Sequence, residues 1–176
     1  MRNTLGVVIL LTLILPWKLS DSVTYKLTNF RCQSYENSFV TINQCRLKAI
    51  SRNKTILNFN ASLANPANSI FLEYQMLKRA NGYKPWLFNV KVDGCRFLRK
   101  PYDPITVLIY NVYRRFSNVN HTCPFTGDIL VLGMYLTTQI KTIPYPTGDY
   151  MLSMNWIFNH KPQFITNVSF QFVEDL

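Results

Sequence analysis

Lys78-Arg79-Ala80-Asn81-Gly82-Tyr83-Lys84-Pro85-Trp86-Leu87-Phe88-Asn89-Val90-Lys91-Val92-Asp93-Gly94-Cys95 opens the stretch, running on to Cys123-Pro124, whose reading decides the fold. Asn81-Gly82 marks a turn, because glycine takes a positive φ without steric cost and asparagine tolerates one better than most residues. Trp86, Phe88, Val90 and Val92 then alternate with Leu87, Asn89, Lys91 and Asp93, the period-two pattern of a strand with one apolar face. After Cys95 the period changes. Asp103 is placed to cap a helix and Pro104 suits its first position. Ile105, Leu108, Ile109, Val112, Tyr113 and Phe116 fall on one face, with Asn111, Arg114 and Arg115 on the other. The pattern alone favours a helix that covers one end of a sheet over one that lids a cavity, because apolar stripes usually mean core.

Outward from this stretch the chain reads as strands. Tyr25 and Leu27 suggest a first, and Val40 to Ile50 a second, with Cys45, Leu47 and Ala49 inward and Arg46 and Lys48 outward. Thr55 to Leu63 is a third, ended by the turn cluster Asn65-Pro66-Ala67-Asn68. Ile70, Leu72, Tyr74 and Met76 mark a fourth, before Trp86 to Val92. Beyond the helix, Asp128 to Leu136 is apolar enough for a strand, though Gly133 weakens it. Tyr145-Pro146-Thr147-Gly148 reads as a turn. Tyr150, Leu152, Met154, Trp156 and Phe158 alternate against Met151, Ser153, Asn155, Ile157 and Asn159, and residues 163–173 form a last strand, with Phe164, Val168, Phe170 and Phe172 on one side. Short strands at regular intervals predict an immunoglobulin-like antiparallel β-sandwich with one inserted α-helix.

The first residues predict the compartment. A short positive start, Met1-Arg2-Asn3, precedes an apolar run from Leu5 to Leu15, too short for a bilayer span of about 20 residues and suited to a signal peptide. Small residues at Ser20 and Ser22 place cleavage before Val23, leaving a single secreted domain, residues 23–176. Arg2, Lys18 and Asp21 leave with the signal, so the net charge falls from +10 to +9. Such a basic secreted chain suits an anionic membrane surface, an acidic glycan or a receptor as partner, and secretion argues against nucleic acid. An even number of cysteines, Cys32, Cys45, Cys95 and Cys123, predicts two disulfides in that setting. Sequence does not choose among the three pairings; the chain-local one, Cys32–Cys45 with Cys95–Cys123, closes the shortest loops and is the pairing expected here. Sequons stand at Asn53, Asn60, Asn120 and Asn167. The strand phases put Asn60 and Asn167 on outer faces, as a glycan requires.

Several strings carry a resemblance: Asn29-Phe30-Arg31-Cys32, Cys45-Arg46-Leu47-Lys48, Lys78 to Pro85, Asn118-Val119-Asn120-His121-Thr122-Cys123-Pro124 and Pro146-Thr147-Gly148-Asp149-Tyr150. Together they resemble an uncharacterised family of insect secreted proteins. That family is distantly similar to the ML-type lipid-recognition proteins, which include lysosomal sterol and ganglioside carriers, and to the insect chemosensory B proteins. The resemblance implies a sandwich whose sheets separate to hold an apolar ligand, such as a lipid, sterol or hydrocarbon signal. The long helical insert between Cys95 and Cys123 departs from those carriers. On this reading the ligand-binding residues are Phe59, Tyr74, Met76, Trp86, Phe88, Met154, Trp156 and Phe170, with Ile105, Leu108, Ile109, Val112 and Phe116 of the helix at the mouth. Lys84, Arg96, Arg99 and Arg115 would meet a headgroup at the rim. Burying a 16-carbon chain would yield roughly 12 kcal/mol before binding costs, at about 0.8 kcal/mol per methylene.

Catalysis is not expected. His121 and His160 are the sequence's only histidines, and no Gly-x-Ser-x-Gly, His-Glu-x-x-His or phosphate-binding loop occurs. No metal or cofactor is expected either. The competing reading is a ligand-free extracellular module that binds a protein or an anionic membrane through its basic surface.

Overall fold

The computed structural model describes residues 22–52, 54–137 and 145–175. The predicted signal segment, apart from Ser22, lies outside them, as does the sequon residue Asn53. The described chain is mostly β, in two antiparallel sheets with few helices. Strands β1 (Ser22–Ser34), β4 (Ile70–Ala80), β5 (Gly82–Asp93), β7 (Gly148–Phe158) and β8 (Lys161–Asp175) make a five-stranded sheet in the order β1-β8-β7-β4-β5. Strands β2 (Val40–Ser51), β3 (Lys54–Ala67) and β6 (Phe125–Met134) make a three-stranded sheet in the order β2-β3-β6. Between β5 and β6 run the short helix α1 (Gly94–Arg99), helix α2 (Pro104–Tyr113) and a 3-10 turn, Arg114–Phe116.

The core lies between the sheets. Phe59 of β3 meets Phe30 of β1 at a centroid distance of 6.2 Å and stacks on Phe164 of β8 at 5.7 Å. Leu57, Phe59, Ala61 and Leu63 are all buried, as their alternation requires. Both disulfides form as expected, Cys32–Cys45 and Cys95–Cys123. The first ties β1 to β2 and closes one side of the layered structure. The second ties the start of α1 to the segment before β6 on the opposite side.

Most expected elements are present, with informative differences. Gly82 turns at φ 84° and Asp93 in β5 caps α1, a helix the cysteine spacing did not reveal. Strand β3 runs through Pro66 to Ala67, so the expected turn at residues 65–68 is displaced to Asn68-Ser69. Proline is tolerated there because the β3–β6 register shifts between Leu63 and Ala67, at a bulge where no ladder donor is needed. Gly133 does not end β6 but bends it. At φ 69° it sits in a second bulge, where Asn58 Oδ1 accepts its N–H at 3.0 Å. Ala49, expected inward, is exposed near the end of β2.

Helix α2 begins where the sequence places it. The Asp103 carboxylate accepts the Thr106 N–H at 2.7 Å and the Thr106 hydroxyl at 2.5 Å, and Pro104 occupies the first turn. Tyr74, buried in β4, donates to the same carboxylate at 3.4 Å and also contacts the Thr106 hydroxyl. The cap therefore also pins the helix to the sheet. Asp103→Ala should cost about 2 kcal/mol, cap plus orphaned hydroxyl, lowering Tm by about 4–8 °C in a chain of this size. Asp103→Asn, which keeps the capping oxygen, should recover most of the loss in a thermal melt.

Candidate ligand-binding site

Helix α2 does not lie flat on a finished core. Helix α1 packs against β4 and β5, and the 3-10 turn packs against β6, so the helical segment crosses from the edge of one sheet to the edge of the other. Tyr110 fastens its far end, donating to the Val119 carbonyl at 2.9 Å. Thr106 is buried in α2, whereas Ile105, Leu108, Ile109, Val112 and Tyr113 are only half-buried. Apolar side chains that face inward yet keep accessible surface border space. That space is a cavity of about 120 Å³. The stripe does both: Ile105, Ile109, Val112, Tyr113 and Phe116 pack against buried core, as cover would, and Ile105, Leu108, Ile109, Val112 and Tyr113 also line this space.

The sheets supply the other walls. Met76 of β4, Phe88 of β5, Leu152 and Met154 of β7, and Val168 and Phe170 of β8 form one side. Tyr25 of β1, Met134 and Leu136 at the end of β6, and Tyr145 before β7 complete it. Two smaller cavities continue from this one between the sheets. One of about 70 Å³ shares Tyr113, Met134, Met154 and Val168 with the first. Another, of about 30 Å³, shares Tyr113, Val119, Ile129 and Trp156 with the second. Met134 and Met154 stand at the partition of the two larger spaces, and methionine side chains rearrange at little cost.

Of the residues expected to bind ligand, Met76, Phe88, Ile105, Leu108, Ile109, Val112, Met154 and Phe170 line the main chamber. Phe59 and Trp156 line the second cavity instead. Trp156 stacks on Phe164 at 5.4 Å and donates its indole N–H to Thr166 at 3.0 Å. Tyr74, Trp86 and Phe116 line none of these three spaces. Tyr74 is held by Asp103 and Thr106, Trp86 packs on Tyr150 at 5.0 Å and Tyr145 at 5.7 Å, and Phe116 packs on Tyr135 at 5.4 Å. The reason is packing. Tyr74, Trp86 and Phe116 are each taken up by another partner, while Leu152 and Val168 line the chamber. Both were legible as inward-facing; size was the wrong criterion for choosing among them. Tyr25 and Leu136 were legible as strand residues and Tyr145 as part of a turn, but none of the three as lining; Leu136 and Tyr145 sit in irregular chain.

The rim differs as well. Lys84, Arg96, Arg99 and Arg115 line none of these cavities; Arg96 rests over Tyr102 at 4.6 Å and Arg115 over Phe116 at 5.8 Å. The cations that adjoin the chamber are Lys26 and Lys54, in a shallow space of about 230 Å³ that shares Tyr25 and Leu136 with it. Lys54 Nζ sits 4.2 Å from the centre of the Tyr135 ring. Asn120 is exposed, Asn60 is half-buried with its Oδ1 accepting from Asn43 at 3.3 Å, and Asn167 Oδ1 is buried without a partner among the described residues.

Residues 72–152 match the family model described as Protein of unknown function (DUF1091). The match bears out the resemblance to an uncharacterised family. It runs from β4 into β7 and contains both cysteines of the second disulfide, all of α2 and most of the chamber's lining. Strands β1, β2, β3 and β8 fall outside it. No curated protein matches the sequence.

Tyrosine hydroxyls dominate the electrostatics of the site. Burial pushes Tyr145 up to about 12, with the neighbouring Tyr25 and Tyr150 adding to the shift. Burial likewise raises Tyr25, Tyr74, Tyr113 and Tyr150 above the ordinary value of about 10. These hydroxyls keep their protons in the folded chain at a pH where the unfolded chain releases them, so stability is full below about pH 10 and is lost above it. Urea unfolding is expected to give a constant folding free energy up to about pH 10, then a fall of about 1 kcal/mol or more per pH unit. A profile that stays flat to about pH 12 would contradict the burial of these groups.

Proposed function

We propose that this protein is a secreted β-sandwich of the ML-like lipid-recognition type that binds a small, uncharged apolar molecule between its sheets, beneath helix α2. The observation that carries the reading is the run of apolar cavities from Ile105 and Leu108 through to Trp156 and Phe158. Among the described residues, no charged side chain lines any of the three. Water needs two to four polar partners to settle in such a space and does not find them here, so an apolar occupant displaces little.

Volume sets the size of the ligand. A space near 120 Å³ is comparable to an engineered apolar cavity of about 150 Å³ that takes benzene, so the chamber suits a single ring or a short chain. A longer chain requires Met134 and Met154 to move aside and join the second cavity, and a whole 16-carbon chain exceeds what the spaces hold as they stand. Chemosensation and lipid transport are both compatible with such a binder. Two features support secretion: both disulfides form, and among the described residues no helix is long and apolar enough to cross a membrane. On this reading Asn120 is the sequon best placed to carry a glycan, being exposed.

Native mass spectrometry of the protein secreted by expressing cells, after removal of glycans, should show an adduct of one class of apolar compound. Val112→Trp, which fills the chamber from the helix side, should abolish the adduct while the protein still melts cooperatively. A clean unliganded mass, with no shift in Tm from a panel of apolar compounds, would instead favour an interaction module acting through the basic surface.

A further inference from the structure

Tyr113 is the residue common to all three cavities. Its hydroxyl has no hydrogen-bond partner among the described residues, whereas three nearby tyrosines are bonded. Tyr74 is bonded to Asp103 and Thr106, Tyr110 to the Val119 carbonyl, and Tyr150 to the Pro146 carbonyl. The Tyr113 ring is fixed by an edge contact with Tyr110 at 5.4 Å. The side chain is half-buried by surface area, yet desolvation raises its hydroxyl strongly. Both are true of a group whose accessible surface borders the apolar spaces it lines. A donor that opens onto apolar space without a partner gains a hydrogen bond when a ligand there offers an acceptor.

We infer that the Tyr113 hydroxyl is the polar anchor of the bound molecule, donating to a single uncharged oxygen acceptor set inside an otherwise apolar ligand. The inference rests on the binding function proposed above and specifies its ligand class. An internal ketone, ester or ether oxygen at the junction leaves one apolar arm for the chamber under α2 and another for the space beside Trp156. A carboxylate is disfavoured, because among the described residues no cation lines these cavities to offset its burial.

The test compares wild type with Tyr113→Phe, which keeps the ring and removes the hydroxyl, against nonane, dibutyl ketone and nonanoic acid. Wild type should bind the ketone. The substitution should weaken the ketone by about tenfold and leave nonane unchanged, the loss expected when one buried hydrogen bond is removed. The ligand-free variant should melt no lower than wild type, since no bond within the protein is lost. Equal ketone affinity in the two proteins, or a lower Tm for the ligand-free variant, would overturn the anchor while leaving the chamber as a binding site. Preference for ionised nonanoic acid over the ketone would overturn the neutral ligand class. If wild type binds none of the three, the binding function falls with the anchor.

Discussion

The Asp103 carboxylate holds the architecture of the site. It caps α2 by accepting from Thr106 and receives the hydroxyl of Tyr74 from the floor of the five-stranded sheet. One group thus starts the helix and fixes where it starts relative to β4. A helix pinned at its first turn, and held at its far end by Tyr110 to the Val119 carbonyl, has little freedom to settle into the gap below it. The second disulfide anchors the same segment from Cys95 to Cys123.

Space between the sheets follows from that suspension. On the β1–β2 side the sheets are drawn together, with the Cys32–Cys45 bridge and the Phe30, Phe59 and Phe164 rings in contact. Toward β5 and β6 the helix stands in for strand-to-strand contact, and its side chains line the chamber together with Leu152 and Val168. Interiors of proteins are ordinarily close-packed, and a run of three connected apolar spaces loses dispersion contacts that a filled core would keep. A fold that retains such a defect, with an unbonded tyrosine hydroxyl at its centre, has a simple physical rationale when an occupant supplies both the contacts and the hydrogen bond.

Much of this was legible in the sequence because local rules were obeyed. The Asn81-Gly82 turn, the Asp103-Pro104 helix start and the alternation of Leu57 to Leu63 all appear as read. Elements went unread where tertiary context decides. Pro66 inside β3 depends on a bulge against β6, and α1 is too short for periodicity to declare. Which inward residues line a cavity is less legible still. Trp86 shares the alternation of Leu152 and Val168, and only its three-dimensional pairing with Tyr145 and Tyr150 separates it from the residues that line the chamber. Whether a helical stripe closes on a core or lids a chamber depends on where the helix is pinned, and Tyr74 lies about thirty residues from the aspartate that pins it.

The claim that an apolar chamber lies beneath α2 is tested most directly by crystals of the protein, stripped of any bound ligand, under xenon pressure. Dry apolar cavities of this size take up xenon. The account predicts xenon among Met76, Leu108 and Leu152, with a second site beside Phe59 and Trp156. A structure with no xenon between the sheets, and with the α2 side chains packed directly onto Leu152 and Met154, would contradict it.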